Sequence, residues 1–72
     1  MFLKLTNMFG ALKGDPIYVN MDQIMTIHEK PSEDGGGIVT WLYGGPKSEV
    51  WYVEESPAKI FKMMNEGNNE QR

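Results

Sequence analysis

The sequence predicts a small, mainly β (α+β) module of about five short antiparallel strands with one C-terminal helix. Three observations carry this. Apolar residues alternate with polar ones in short runs, the signature of strands with one buried face. Glycine, asparagine and proline clusters separate the runs. Ser56-Pro57 then opens an apolar stripe at helical spacing.

Phe2-Leu3-Lys4-Leu5-Thr6 alternates from Leu3 onward and reads as the first strand. Residues 7 to 16 have a loop composition, with Asn7, Gly10, Gly14, Asp15 and Pro16. Met8-Phe9 and Ala11-Leu12 interrupt it and are expected to fold over the core or sit at an interface. Ile17-Tyr18-Val19 is a second short strand, Ile17 and Val19 facing one way and Tyr18 the other. Asn20-Met21-Asp22-Gln23 breaks the alternation with side chains that bond the local backbone, so a tight or 3₁₀ turn is expected. Met25 to Glu29 resumes period two, which should bury Met25 and Ile27. Pro31 to Gly37 is a polar, glycine-rich loop. Ile38 to Tyr43 is a strand, Gly44-Gly45-Pro46-Lys47-Ser48 a hairpin connection, and Glu49 to Glu54 the return strand.

Serine is a good N-cap, and proline suits the first helical position because its missing N–H would have no intrahelical partner. The helix should occupy about residues 57–66, with Ile60, Phe61 and Met64 as its apolar stripe. Gly67 fits the left-handed position that ends many helices. The module then spans 1–67, with 68–72 a disordered polar tail. So few short strands cannot make a two-layer sandwich. The economical arrangement is a bent sheet, partly closed like an SH3 or Sm barrel, with the helix covering an open edge or mouth.

Composition excludes several function classes. The chain has 72 residues and no cysteine, so disulfides and thiolate metal sites are absent. The first residues lack the basic start and apolar run of a signal peptide. No apolar run approaches the roughly 20 residues needed to cross a bilayer. A cytoplasmic protein without membrane insertion is the expectation. A net charge of −3 with scattered lysines and a single arginine, Arg72, opposes nonspecific nucleic-acid binding.

No catalytic, cofactor or metal constellation emerges. His28 is the only histidine; strand phase puts it on the outer face, with Glu29 pointing oppositely and no convergent acid or base. Asp22, Glu29, Glu33, Asp34, Glu54 and Glu55 lack calcium-loop spacing, and Glu54 and Glu55 suit the helix N-terminus electrostatically. Gly35-Gly36-Gly37 lacks the lysine and following helix of a phosphate loop. Tyr18, Trp41, Tyr43, Trp51 and Tyr52 form the most informative set. Trp41 and Tyr43 share a strand face, and hairpin geometry allows Trp51 or Tyr52 to lie across from them. Such rings either fill the core of a small barrel or form a platform for single-stranded nucleic acid or proline-rich peptide. For Trp41, core duty has the greater weight.

The order Leu3-Lys4-Leu5-Thr6, Ile17-Tyr18-Val19-Asn20, Asp22-Gln23-Ile24, Ile27, a hairpin strand, and Val53-Glu54-Glu55-Ser56 with Ile60 resembles the small flagellar FlbD family over residues 3–62. This chain departs from the pattern in three places. The compact turn after the first strand is replaced by Asn7 to Pro16, the acidic turn is expanded into Pro31 to Gly37, and Gly44 to Ser48 is longer than the family's Asn-Gly turn. The resemblance implies a non-enzymatic accessory role in flagellar function, with no catalytic or ligand residues to transfer. The departures leave open a bacteriophage or mobile-element adaptor on the same scaffold.

The expected function is therefore a protein-interaction module, the alternative being an Sm- or SH3-like nucleic-acid binder or phage-encoded adaptor. The expected partner-binding residues are Met8, Phe9, Leu12, Trp41, Tyr43, Trp51 and Met63. Self-association is also expected. The domain has little core to receive every apolar residue of the 8–12 loop and the helix, and with Ile60 and Met64 covering the barrel, Met63 is left facing outward.

Overall fold

Alternation and turn chemistry place the elements close to where the sequence suggests. The computed structural model describes residues 1–32 and 35–70, with only the backbone described for 67–70. The strands are β1 (Phe2–Thr6), β2 (Pro16–Asn20), β3 (Ile24–Pro31), β4 (Ile38–Gly44) and β5 (Glu49–Val53), followed by α1 (Pro57–Glu70). Short 3₁₀ turns, Gly10–Leu12 and Met21–Gln23, join β1 to β2 and β2 to β3.

The strands form two antiparallel sheets, β1-β2 and β3-β4-β5. The five expected antiparallel strands and the C-terminal helix are present, with the strands divided between two sheets. The sheets meet along a short seam, where Asn7 bridges Val53. There Met8 N donates to Tyr52 O at 2.8 Å and Glu54 N donates to Thr6 O at 2.9 Å. Glu55 reinforces it: one carboxylate oxygen accepts from Thr6 N and the other from Thr6 Oγ1, each at 2.9 Å.

The core lies between the two sheets and the helix. Leu3, Leu5, Val19, Met21, Leu42, Val53 and Ile60 are buried there, and Leu42, Val53 and Ile60 have no exposed surface. Ser56 caps the helix as its side chain suggests: Lys59 N donates to Ser56 Oγ at 3.1 Å. Likewise Asn20 Oδ1 accepts from Asp22 N at 3.1 Å and starts the second 3₁₀ turn. No helix among the described residues is long and apolar enough to cross a membrane.

Three local expectations are corrected. Met25 is not buried but 84% exposed, because the β3–β4 register shifts between Ile24 and Thr26 and the intervening residue turns outward. On α1, Met63 packs against the core beside Met64, whereas Phe61 is 52% exposed. Spacings of three and four from Ile60 share one helix face, and a spacing of one does not. The helix also continues past Gly67 to Glu70. Residues 71 and 72 of the expected tail, and Glu33 and Asp34 of the polar loop, lie outside the described residues.

One close approach fixes the hairpin end of β4. Gly44 is buried opposite Ile24. A Cβ there would overlap the Gln23 carbonyl oxygen and lie 2.8 Å from Ile24 Cα. The same carbonyl accepts from Gly45 N at 2.8 Å, so only glycine lets the two backbones come together here.

Candidate interaction surface

The three-stranded sheet has an inner face on the core and an outer face carrying most of its aromatic residues. Alternation along β4 sends Leu42 inward and Trp41 and Tyr43 outward. Register then decides which β5 ring joins them. Trp41 lies opposite Tyr52, and Leu42 opposite Trp51. Trp51 accordingly packs against the core, and Tyr52 completes the outer set. Of the two possibilities for the facing ring, the structure selects Tyr52, and Trp51 leaves the candidate surface.

The outer rings form a continuous ladder across the strands. Trp41 and Tyr52 stack at 4.6 Å with an interplanar angle of 8°. Phe9, from the loop, meets Tyr52 edge-on at 5.0 Å. Tyr43 sits 6.2 Å from Trp41, and His28 meets Tyr43 edge-on at 5.1 Å. Lys30 stands over this ladder, its Nζ 4.2 Å from the Trp41 ring centroid and donating to the Tyr43 hydroxyl at 3.4 Å.

The 7–15 loop is closed by its own hydrogen bonds and tied to this face through Met8 N on Tyr52 O. Asn7 N donates to Asp15 O at 2.8 Å and Gly14 N to Asn7 O at 2.6 Å, closing the loop base. The Asn7 side chain donates to Phe9 O at 2.9 Å and accepts from Phe9 N at 3.4 Å. Gly10 and Gly14 take positive φ values of 69° and 95°, which let the loop turn so tightly.

Between the loop and the sheet runs a groove of about 140 Å³, lined by Met8, Phe9 and Lys13 on one side and Val39, Trp41 and Tyr52 on the other, with Ser32 at the margin. Phe9 is 63% exposed beside it. Leu12 is exposed at the loop tip without lining the groove. Trp41 Nε1 is buried, and no described residue accepts its hydrogen bond. Leaving such a donor unpaired costs about 1–3 kcal/mol.

The structure therefore gathers Met8, Phe9, Trp41 and Tyr43 on one face and adds Tyr52, His28 and Lys30. Leu12 lies beside that face, while Trp51 and Met63 lie against the core. Tyr52 is placed by the β4–β5 register and His28 and Lys30 by the β3–β4 register, which residue types alone do not supply. His28 shares a 3.1 Å hydrogen bond with the Thr26 hydroxyl. Among the described residues, no group of three or more His, Asp or Glu side chains is placed to hold a metal ion. No family model, no curated protein and no solved structure matches this chain.

Proposed function

We propose that this chain is a non-enzymatic protein-interaction module whose docking surface is the outer face of β3–β5 with the adjoining 7–15 loop. The observation that carries the reading is the aromatic ladder from Phe9 through Tyr52 and Trp41 to Tyr43. It gathers large rings on a surface that the core does not use. The seam at Asn7–Val53 gives the strand succession β2-β1-β5-β4-β3 and supports reading the whole as a partly closed barrel of the SH3 or Sm kind. The residues resembling the FlbD pattern give the module a cytoplasmic setting as a flagellar accessory. Phage structural or replication genes beside its gene, in place of motor genes, would make it an adaptor instead.

The alternative, a single-strand nucleic-acid binder, draws on the same rings. Stacking of bases needs open ring faces, and Trp41 has Tyr52 against it on the β5 side and Lys30 on the β3 side. The net charge of −3 also weighs against it.

Photocrosslinking in cells tests the reading. A benzoylphenylalanine at Phe9 should give a discrete protein adduct that Tyr52→Asp abolishes, while the same group at Lys62 on the helix gives none. Adducts to nucleic acid, or the same adducts from both positions, would refute it. Self-association through exposed Leu12 and Phe61 belongs to the same proposal. Sedimentation equilibrium giving only the 8.2 kDa monomer at high concentration removes that part.

A further inference from the structure

We propose that the open edge of β2 is a strand-addition site. An extended segment of a partner protein, apolar with a lysine or arginine in it, pairs there with the Tyr18 backbone. The site is separate from the docking face above and does not rest on it.

The backbone is the first argument. β2 pairs with β1 alone, which leaves its other edge open. Two bonds fix the phase of that pair: Met21 N donates to Met1 O, and Asn7 N to Asp15 O, each at 2.8 Å. Antiparallel strands exchange bonds at every second residue pair. Counted inward from both ends, Val19 and Ile17 bond to Leu3 and Leu5. The N–H and C=O of Tyr18 and the N–H of Asn20 therefore turn away from β1. Thr6, in the same phase on β1, turns away from β2 in the matching way, its N–H on Glu55 and its C=O on Glu54 N. No turn or loop bond among the described residues reaches the Tyr18 backbone or Asn20 N.

Edge protection is the second. Exposed edges are ordinarily blunted by charge, proline or an irregular register. β3 has all three, in Glu29, Lys30 and Pro31 and in the shift between Ile24 and Thr26. From Ile17 to Asn20, β2 has none of them.

The third argument is the space beside this edge. A hollow of about 280 Å³ is lined by residues 17–20 of β2 and, across from them, by Pro46, Glu49 and Trp51 of the β4–β5 hairpin. Ile17 and Val19 point to one face of the strand and Tyr18 to the other, so a hollow that touches all of them runs along the edge. With a wall on its far side it suits one extended chain, whereas a second copy would have to bring its β1 in with its β2. Glu49 is the one charged residue in the lining. Its Oε1 and Trp51 Cη2 both lie 3.3 Å from where a Cβ on Gly45 would stand, which sets the carboxylate beside the indole. Glu49 is in no hydrogen bond or ion pair among the described residues. Lys4, opposite Tyr18, and Lys47, next to Pro46, are not lining residues. A carboxylate beside apolar surface with no cation in the same hollow complements a basic side chain on the incoming strand.

The test uses the full chain, ¹⁵N-labelled, and short synthetic peptides. One alternates valine and lysine, and a second has glutamine for lysine. Two more are the lysine peptide N-methylated on the backbone at every second residue, in either phase, which removes the N–H donors of one strand edge at a time. The lysine peptide should shift the Tyr18 and Asn20 amide signals and the Trp51 indole, and should slow hydrogen exchange at Tyr18 N. One of the two methylated peptides should lose binding. The lysine peptide should bind about two- to fivefold tighter than the glutamine peptide, the margin of an exposed ion pair, and Glu49→Gln should erase it. Glu49 is exposed, so that variant keeps the fold, and its binding of the glutamine peptide shows this. Equal binding of both methylated peptides and their parent overturns strand addition. Equal binding of lysine and glutamine peptides overturns the basic preference. Shifts at Phe9 and Tyr52 in place of Tyr18 and Asn20 overturn this site and leave the docking face standing. Tyr18 and Asn20 signals that move with protein concentration alone would put a second copy on the edge and overturn the partner segment.

Discussion

The two faces of β3–β5 are built from the same strands, residue by residue in alternation, yet they have opposite chemistry. Inside, Leu42 and Val53 are sealed against Ile60, with Ile27 and Trp51 packed around them. Outside, Trp41 stacks on Tyr52, with Tyr43 tilted beside it and Lys30 over the pair Trp41 and Tyr43. The inner face gains from removing aliphatic surface from water. The outer face spends large rings on contacts with one another and with one ammonium. The contrast shows that aromatic content alone does not mark the core: in this sheet the smaller aliphatic residues fill the interior.

Substitutions at neighbouring positions break or sharpen that contrast. Leu42→Ala should have the largest effect, about 2–5 kcal/mol lost in urea denaturation, since the residue has no exposed surface and its removal opens a cavity. A loss no greater than that of an outer-face substitution would mean the two faces are equivalent. Gly44→Ala comes next, at about 1–3 kcal/mol by overpacking against Gln23 and Ile24, with a lowered thermal midpoint as the readout. It asks whether the inner face depends on the backbone contact that sets its edge. Ser56→Ala should cost about 1 kcal/mol through the lost cap on Lys59 N, loosening the helix that covers the inner face. An unchanged denaturation midpoint would mean the helix adds nothing to global stability. Lys30→Gln should be mildest, about 0.5–1 kcal/mol from the lost cation–π contact, read as a small fall in the denaturation midpoint. A loss as large as that of Leu42→Ala would mean that the outer contacts, too, carry the fold.

Much of this was legible in the sequence. Elements bounded by strong local chemistry, such as the Ser56 cap and the Asn20 turn, lie where their residues suggest. So does the alternation of Ile17, Tyr18 and Val19, with Val19 buried and Tyr18 exposed. What was not legible depends on pairing between strands. The register shift at Met25 inverts one side chain with no glycine or proline beside Met25 in β3 itself to announce it. Trp51 and Tyr52 are adjacent, and only the β4–β5 register separates a core ring from a surface ring. The positions of Met63 and Phe61 turn on where the helix meets the core, which a short stripe leaves ambiguous. The candidate surface was thus half visible: its rings on β4 and its loop could be named and the β5 ring narrowed to Trp51 or Tyr52, but the lysine above them could not be named.

The seam between the sheets has a consequence for the order of assembly. Every strand pair in the two sheets joins neighbours in sequence, and such hairpins zip on a timescale of about 1–10 μs. The bond from Thr6 to Glu55 instead links residues 49 positions apart, so its chain-closure entropy is met only when both halves already exist. The seam is therefore the last piece to form and the first to open. Glu55→Ala should accelerate unfolding in stopped-flow chevrons and leave the refolding limb unchanged. The loop that carries Phe9 is anchored at the same place, through Met8 N on Tyr52 O. Opening the latch would release one wall of the groove before the rest of the molecule unfolds, so the lifetime of a bound partner and the kinetic stability of the chain share one set of hydrogen bonds.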